Sequence, residues 1–95
     1  MMTLNQHLRV HPEVVDTPLQ DEETVLLHLH SKLYYSLNAT GTRIWQGLKQ
    51  GLTLAEISQR LQAEFTVDAE RADRSVLSLV NELCERQLVV SADVA

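Results

Sequence analysis

The sequence predicts an α+β domain, strands first and helices after, on three observations. The hydrophobic period is two between Thr24 and Leu37, and it changes to 3.6 after Asn38. Each of three helical stretches follows a residue suited to cap it: Asn38, Thr53 and Asp68. A chain of 95 residues that is 44% hydrophobic has material for one packed domain and no room for two. That domain is expected over residues 13–90, with 1–12 as a flexible segment and 91–95 as a tail.

The strand region divides into three. Met1 to Gln6 reads as a frayed end. Leu8 to Leu19 carries Val10, Val14 and Val15 but also Pro12 and Pro18, and proline cannot donate to a ladder, so an irregular edge strand is expected. After the polar turn Gln20–Glu23, the run Thr24 to His30 alternates, with Val25, Leu27 and Leu29 on one side and Leu26, His28 and His30 on the other. Ser31-Lys32 is a turn. Leu33 to Leu37 alternates again: Leu33, Tyr35 and Leu37 share one face, Tyr34 and Ser36 the other. Tyr35 is therefore expected in the core and Tyr34 on the far face, where an aromatic ring is available to a partner.

The helices follow from caps and stripes. Asn38 opens a short helix through Ile44, Trp45 and Leu48 that Gly51 ends, with Trp45 on the inward side. Thr53 and Glu56 form a capping box for a second helix with Leu54, Ile57, Leu61 and Phe65 in one stripe. Asp68 caps the longest helix, Ala69 to Arg86, whose core stripe is Ala72, Val76, Leu79, Val80 and Leu83. Leu88-Val89-Val90 is an apolar tail able to pair with a strand or pack on the core. Aromatics are 4% of the chain, so the core is built from Leu, Val, Ile and Ala.

Composition narrows the function. The formal net charge is -5, from 8 Lys+Arg and 13 Asp+Glu, whereas a nucleic-acid binder carries a basic stripe. Arg71, Arg74 and Arg86 on the long helix are outweighed by Glu70, Asp73, Glu82 and Glu85, a solvated and charge-paired face. Cys84 is the one cysteine; inside a helix and next to Glu85, it has its thiol pKa pushed up, which suits packing or groove lining and not nucleophilic catalysis. The three glycines, at 41, 47 and 51, make no phosphate loop. His28 and His30 share a strand face, but His7 and His11 lie in the irregular start, so no metal site is expected. The start of the chain has no signal-peptide pattern and no stretch is long enough to span a bilayer, so a cytoplasmic protein without cofactor or membrane partner is the expectation.

One run carries more. Tyr34-Tyr35-Ser36-Leu37-Asn38-Ala39-Thr40-Gly41-Thr42-Arg43-Ile44-Trp45 resembles the signature of the PqqD-like family, the recognition elements for ribosomally made, post-translationally modified peptides. Gly51-Leu52-Thr53-Leu54-Ala55-Glu56-Ile57, Phe65-Thr66-Val67-Asp68 and Leu83-Cys84-Glu85-Arg86-Gln87-Leu88-Val89 fit the same pattern in the same order. Two positions depart from it. Gln87 stands where the family often has Gly, so a less sharply capped helix end is expected, and Ser75 stands where an acidic residue is common.

The resemblance implies a winged-helix-like fold, a three-stranded antiparallel sheet followed by three helices. It also implies a non-catalytic role: the leader of a precursor peptide binds between the third strand and third helix and is presented to a separate maturation enzyme, a radical-based maturase or a leader protease. The physical mode is strand addition, with backbone pairing for affinity and side-chain pockets for specificity. On this sequence the pairing strand is Leu33, Tyr34, Tyr35, Ser36 and Leu37. Leu77 lies about 100° from Val76 around the long helix, off the core stripe, and is assigned to the groove wall with Asp73, Arg74, Asn81 and Cys84. Competing readings are a winged-helix nucleic-acid binder and a dimerisation module; a monomer or weak dimer is expected.

Overall fold

The structure, a computed structural model, describes residues 8–91, apart from the side chain of Ser91. Among these residues the elements are β1 (Leu8–Val10), β2 (Val14–Pro18), β3 (Thr24–His28), β4 (Tyr34–Leu37), α1 (Ala39–Lys49), α2 (Leu54–Phe65), α3 (Ala69–Glu85) and β5 (Val89–Ser91). Strands β2, β3 and β4 form the expected antiparallel sheet, in that order, and the three helices follow it. A second antiparallel ribbon joins β1 to β5.

That ribbon corrects the reading of the chain's start. The single irregular strand is two strands, separated by a turn in which the Val14 N–H donates to the His11 carbonyl at 3.1 Å. Leu8 is 2% exposed and the His11 N–H donates to the Leu88 carbonyl at 2.9 Å, so Leu8 to His11 pack onto the rest of the domain. Their partner is the Leu88–Val90 tail, some eighty positions away, which no local periodicity reveals. The frayed end expected at Met1–Gln6, and residues 92–95 of the tail, lie outside the described residues.

Strand β3 stops at His28, two residues short of expectation. The His28 ring is the cause: its Nδ1 accepts the backbone N–H groups of His30 at 3.2 Å and Ser31 at 3.4 Å, and that bends the chain into a turn. Lys32 leaves the turn with φ 64°. Thr24, Leu26 and His28 face the helices and are buried, whereas Val25 and Leu27 face away. Pro18 sits at the end of the edge strand β2, where no ladder bond is lost.

The caps form as read. Asn38 accepts from the Gly41 N–H at 2.8 Å, Asp68 from the Arg71 N–H at 2.8 Å, and Thr53 and Glu56 complete the reciprocal box. Helix α1 ends in a Schellman turn: Gly51 has φ 82°, its N–H reaches the Leu48 carbonyl, and the Leu52 N–H reaches that of Gly47. Helix α3 ends in the same motif built on Gln87 at φ 60°, with the Gln87 N–H on Cys84 at 3.0 Å and the Leu88 N–H on Leu83 at 2.9 Å. The end expected to be less sharply capped is therefore fully capped, at the cost of a left-handed non-glycine residue.

The core lies between the inner sheet face and the helices. Leu26 and Leu37 meet Ile44, Trp45 and Leu48 of α1, Leu54, Ile57 and Leu61 of α2, and Ala72, Val76, Val80 and Leu83 of α3, all at most 3% exposed. Full burial of each large aliphatic side chain contributes about 1.5–3 kcal/mol. Helices α1 and α2 touch closely at Gly47, where a Cβ would come within 2.6 Å of Ile57. Trp45 packs inward as expected, and its indole N–H donates to Asp16 at 2.7 Å, which ties α1 to β2. Leu79, expected in the core stripe, is only half-buried. Its position matters for the site.

Candidate peptide-binding groove

Among the described residues, strand β4 is one edge of the sheet, with β2 at the other. Its partner β3 faces Leu33 across an ordinary ladder bond, the His28 N–H on the Leu33 carbonyl at 3.0 Å. Bonded pairs alternate in an antiparallel ladder, so Tyr35 and Leu37 also turn their backbone groups toward β3. Tyr34 and Ser36 then direct both N–H and C=O to the open side. Four backbone groups of the edge are available to an added strand.

Beside that edge runs a cavity of about 380 Å³, bounded by β4, the start of α1 and one flank of α3. Leu37, Ile44 and Leu79 give it an apolar floor, and Ser75, Ser78 and Glu82 its helical wall. Leu79 is thus a groove residue: it stands about 60° from Val76, on the side opposite Leu77. Tyr35 closes one end. Burial first, then the nearby Glu82 carboxylate, push the pKa of its hydroxyl up. The Arg86 guanidinium lies over the Tyr35 ring at 5.2 Å and also meets Glu82 at 3.5 Å.

The residues expected to form the site divide. Tyr35, Ser36 and Leu37 line the cavity; Tyr34 offers its backbone beside it, and Leu33 precedes the strand with its side chain exposed. Tyr35, expected in the core, is half-buried at its margin. Asp73, Arg74, Leu77, Asn81 and Cys84 do not line the cavity. Asp73 accepts a hydrogen bond from the Ser58 hydroxyl of α2, and Leu77, one turn on, packs against the core from the same flank. Arg74 pairs with Glu70 at 2.9 Å, and the Asn81 amide reaches Glu85 at 3.5 Å. Cys84 is half-buried against the core, and burial raises its thiol pKa; the cause is desolvation and not the adjacent Glu85. Ser75, noted only as a departure from the family pattern, turns out to be part of the wall.

The histidines form a separate group. His28 is 4% exposed, and its ring lies 4.6 Å from that of His11 and 6.4 Å from that of His30. His11 and His28 each spend Nδ1 on a backbone N–H, which leaves them poorly arranged as ligands. Among the described residues no group of three or more His, Cys, Asp or Glu is placed to hold a metal ion, and no helix is long and apolar enough to cross a membrane.

The sequence profile of the family described as coenzyme PQQ synthesis protein D (PqqD) matches residues 23–89, from the start of β3 into β5. The chain belongs to the PqqD family. Two solved structures align with this PqqD-family chain over nearly their whole length. One is TbiB1 in complex with the TbiA(beta) leader peptide, 32% identical, with a TM-score of 0.79 over 92% of this chain and 98% of that one. The other is a lasso peptide synthetase B1 complexed with the leader peptide, 31% identical, with a TM-score of 0.80 over 88% and 98%. Among curated proteins, none matches.

Proposed function

We propose that this protein captures the leader segment of a ribosomally made precursor peptide and presents it to a separate maturation enzyme, without catalysing a reaction itself. One observation carries the reading: the open edge of β4 stands beside a groove with an apolar floor and a helical wall. The family membership supports it, and so do two structural relatives that are themselves complexes with leader peptides.

The mechanism is strand addition. The leader lies extended along β4 and pairs with the backbone of Tyr34 and Ser36. Every second leader side chain points inward, over Leu37, Ile44 and Leu79 and toward the Ser75, Ser78 and Glu82 wall. The leader-binding residues are accordingly the Leu33–Leu37 segment and this wall. Asp73, Leu77 and Cys84 act through the fold, and Arg74 and Asn81 lie on the exposed surface of α3. The net charge of -5 argues against nucleic acid as the ligand.

Titration calorimetry with the leader of the precursor encoded beside this gene tests the reading. Micromolar or tighter binding is expected. Ser36→Pro removes one edge donor while remaining tolerable in an edge strand, and is expected to weaken binding about tenfold. Absence of binding to every neighbouring leader would overturn the proposal.

A further inference from the structure

The leader groove uses one edge and the inner side of the sheet. Among the described residues, no element covers the opposite side of the same sheet. All five large hydrophobic side chains that are exposed among the described residues, Val15, Leu19, Leu29, Leu33 and Tyr34, lie on β2, β4 or the loops of the two hairpins, and none on a helix. Register sets two of them, Val15 and Tyr34, on the outer face, whereas Leu33 alternates with Tyr34 and belongs to the groove side. Val15, Leu27 and Tyr34 form one row across β2, β3 and β4, and Thr17, Val25 and Ser36 form the next. Neither row contains a charge. The exposed charged residues Glu13, Glu23 and Lys32 lie just outside the strand ends. The helices look different: their exposed faces carry ion pairs such as Arg74–Glu70 and Arg86–Glu82. An apolar centre with a charged rim is the anatomy of a protein interface.

We infer that this outer sheet face docks the maturation enzyme, and docks it better once a leader is bound. The inference rests on leader capture at β4. A leader added to that edge widens the sheet by one strand, and the leader side chains that do not enter the groove continue the Val15–Leu27–Tyr34 side. The enzyme then meets a surface shared by carrier and cargo. Size argues against a stable dimer of this chain through this face. Three strands of about five residues cover roughly 240 Å², against about 800 Å² on each partner in a stable interface. Charge points the same way, because two copies at -5 each repel, while an enzyme can surround an apolar contact with basic residues. The result is a transient dock, suited to handing over a substrate.

The probes are the full chain, the synthetic leader of the neighbouring precursor, and the purified maturation enzyme encoded with them. Leader-loaded protein is expected to bind the enzyme about tenfold more tightly than leader-free protein. Val15→Lys, two strands from the leader edge, is expected to weaken enzyme binding about tenfold while leaving calorimetric leader affinity and Tm near wild type. Val15→Thr keeps a β-branched strand former and guards against a folding defect; a loss of about threefold is expected. Wild-type enzyme affinity in both variants would overturn the dock while leaving leader capture standing. Self-association through this face, abolished by Val15→Lys and with no enzyme binding, would overturn it in favour of a homodimer. Failure of the wild-type protein to bind the leader at all would remove both readings, and the calorimetry alone would show it.

Discussion

The two flanks of α3 are alike on a helical wheel and opposite in the molecule. One flank holds Asp73, Leu77 and Cys84 and is committed to the fold: Asp73 takes the Ser58 hydroxyl of α2, and Leu77 and Cys84 pack on the core. The other holds Ser75, Ser78, Leu79 and Glu82 and faces the cavity beside the open edge of β4. Each flank offers one large aliphatic residue next to the core stripe. A leucine off the stripe is therefore not by itself a sign of a binding surface. What distinguishes the flanks is the neighbour: a helix whose side chains fill the space, or a strand edge whose backbone leaves it open.

The sharpest way to break this contrast is to place the same charge on both sides. Leu79→Asp is expected to lower leader affinity by about 30-fold or more, the loss of a central apolar contact, with the domain still folded by circular dichroism. Leu77→Asp is expected to do the reverse. It buries a carboxylate within the α2–α3 packing and should destabilise by about 2–3 kcal/mol, lowering Tm by roughly 10 °C or more, with leader affinity of the folded protein little changed. If Leu77→Asp abolished binding without loss of Tm, the groove would lie on the α2 side.

A position outside α3 separates fold from groove by pH. Asp16 accepts from Lys49 at 2.6 Å and from the Trp45 indole at 2.7 Å, and the Lys49 bond holds its carboxyl below the ordinary aspartate range. A carboxylate with a lowered folded pKa contributes stability that is present above its unfolded value and lost as pH falls through the folded one. Asp16→Asn is therefore expected to cost about 1 kcal/mol at pH 7, in denaturant titrations, with the gap to wild type closing below about pH 4. Leader affinity at pH 7 is expected to stay unchanged, as both flanks of α3 do.

The smallest effect concerns the end that both flanks share. Gln87 holds φ 60° in the turn that carries the chain from α3 into β5. Gln87→Gly relieves the left-handed strain and is expected to raise stability by about 0.5–1 kcal/mol, seen as a Tm increase of a few degrees, with no change on either flank.

Local signals in the chain determined much of this protein. Asn38, Thr53 with Glu56, Asp68 and Gly51 set the helix ends because a cap bonds within three or four residues of itself. The alternation through Thr24–His28 and Tyr34–Leu37 fixed the β3–β4 pair, and the motif around Tyr34–Trp45 pointed to the family. Tertiary structure decided what depends on distant neighbours. It paired Leu8–Val10 with Val89–Ser91, and it ended β3 early through the His28 ring. It also turned Leu79 toward the cavity beside β4 and packed Leu77 against the core. Periodicity placed Leu79 in the buried stripe and Leu77 off it; only the packing of α2 on one side and the edge of β4 on the other shows which of the two meets open space.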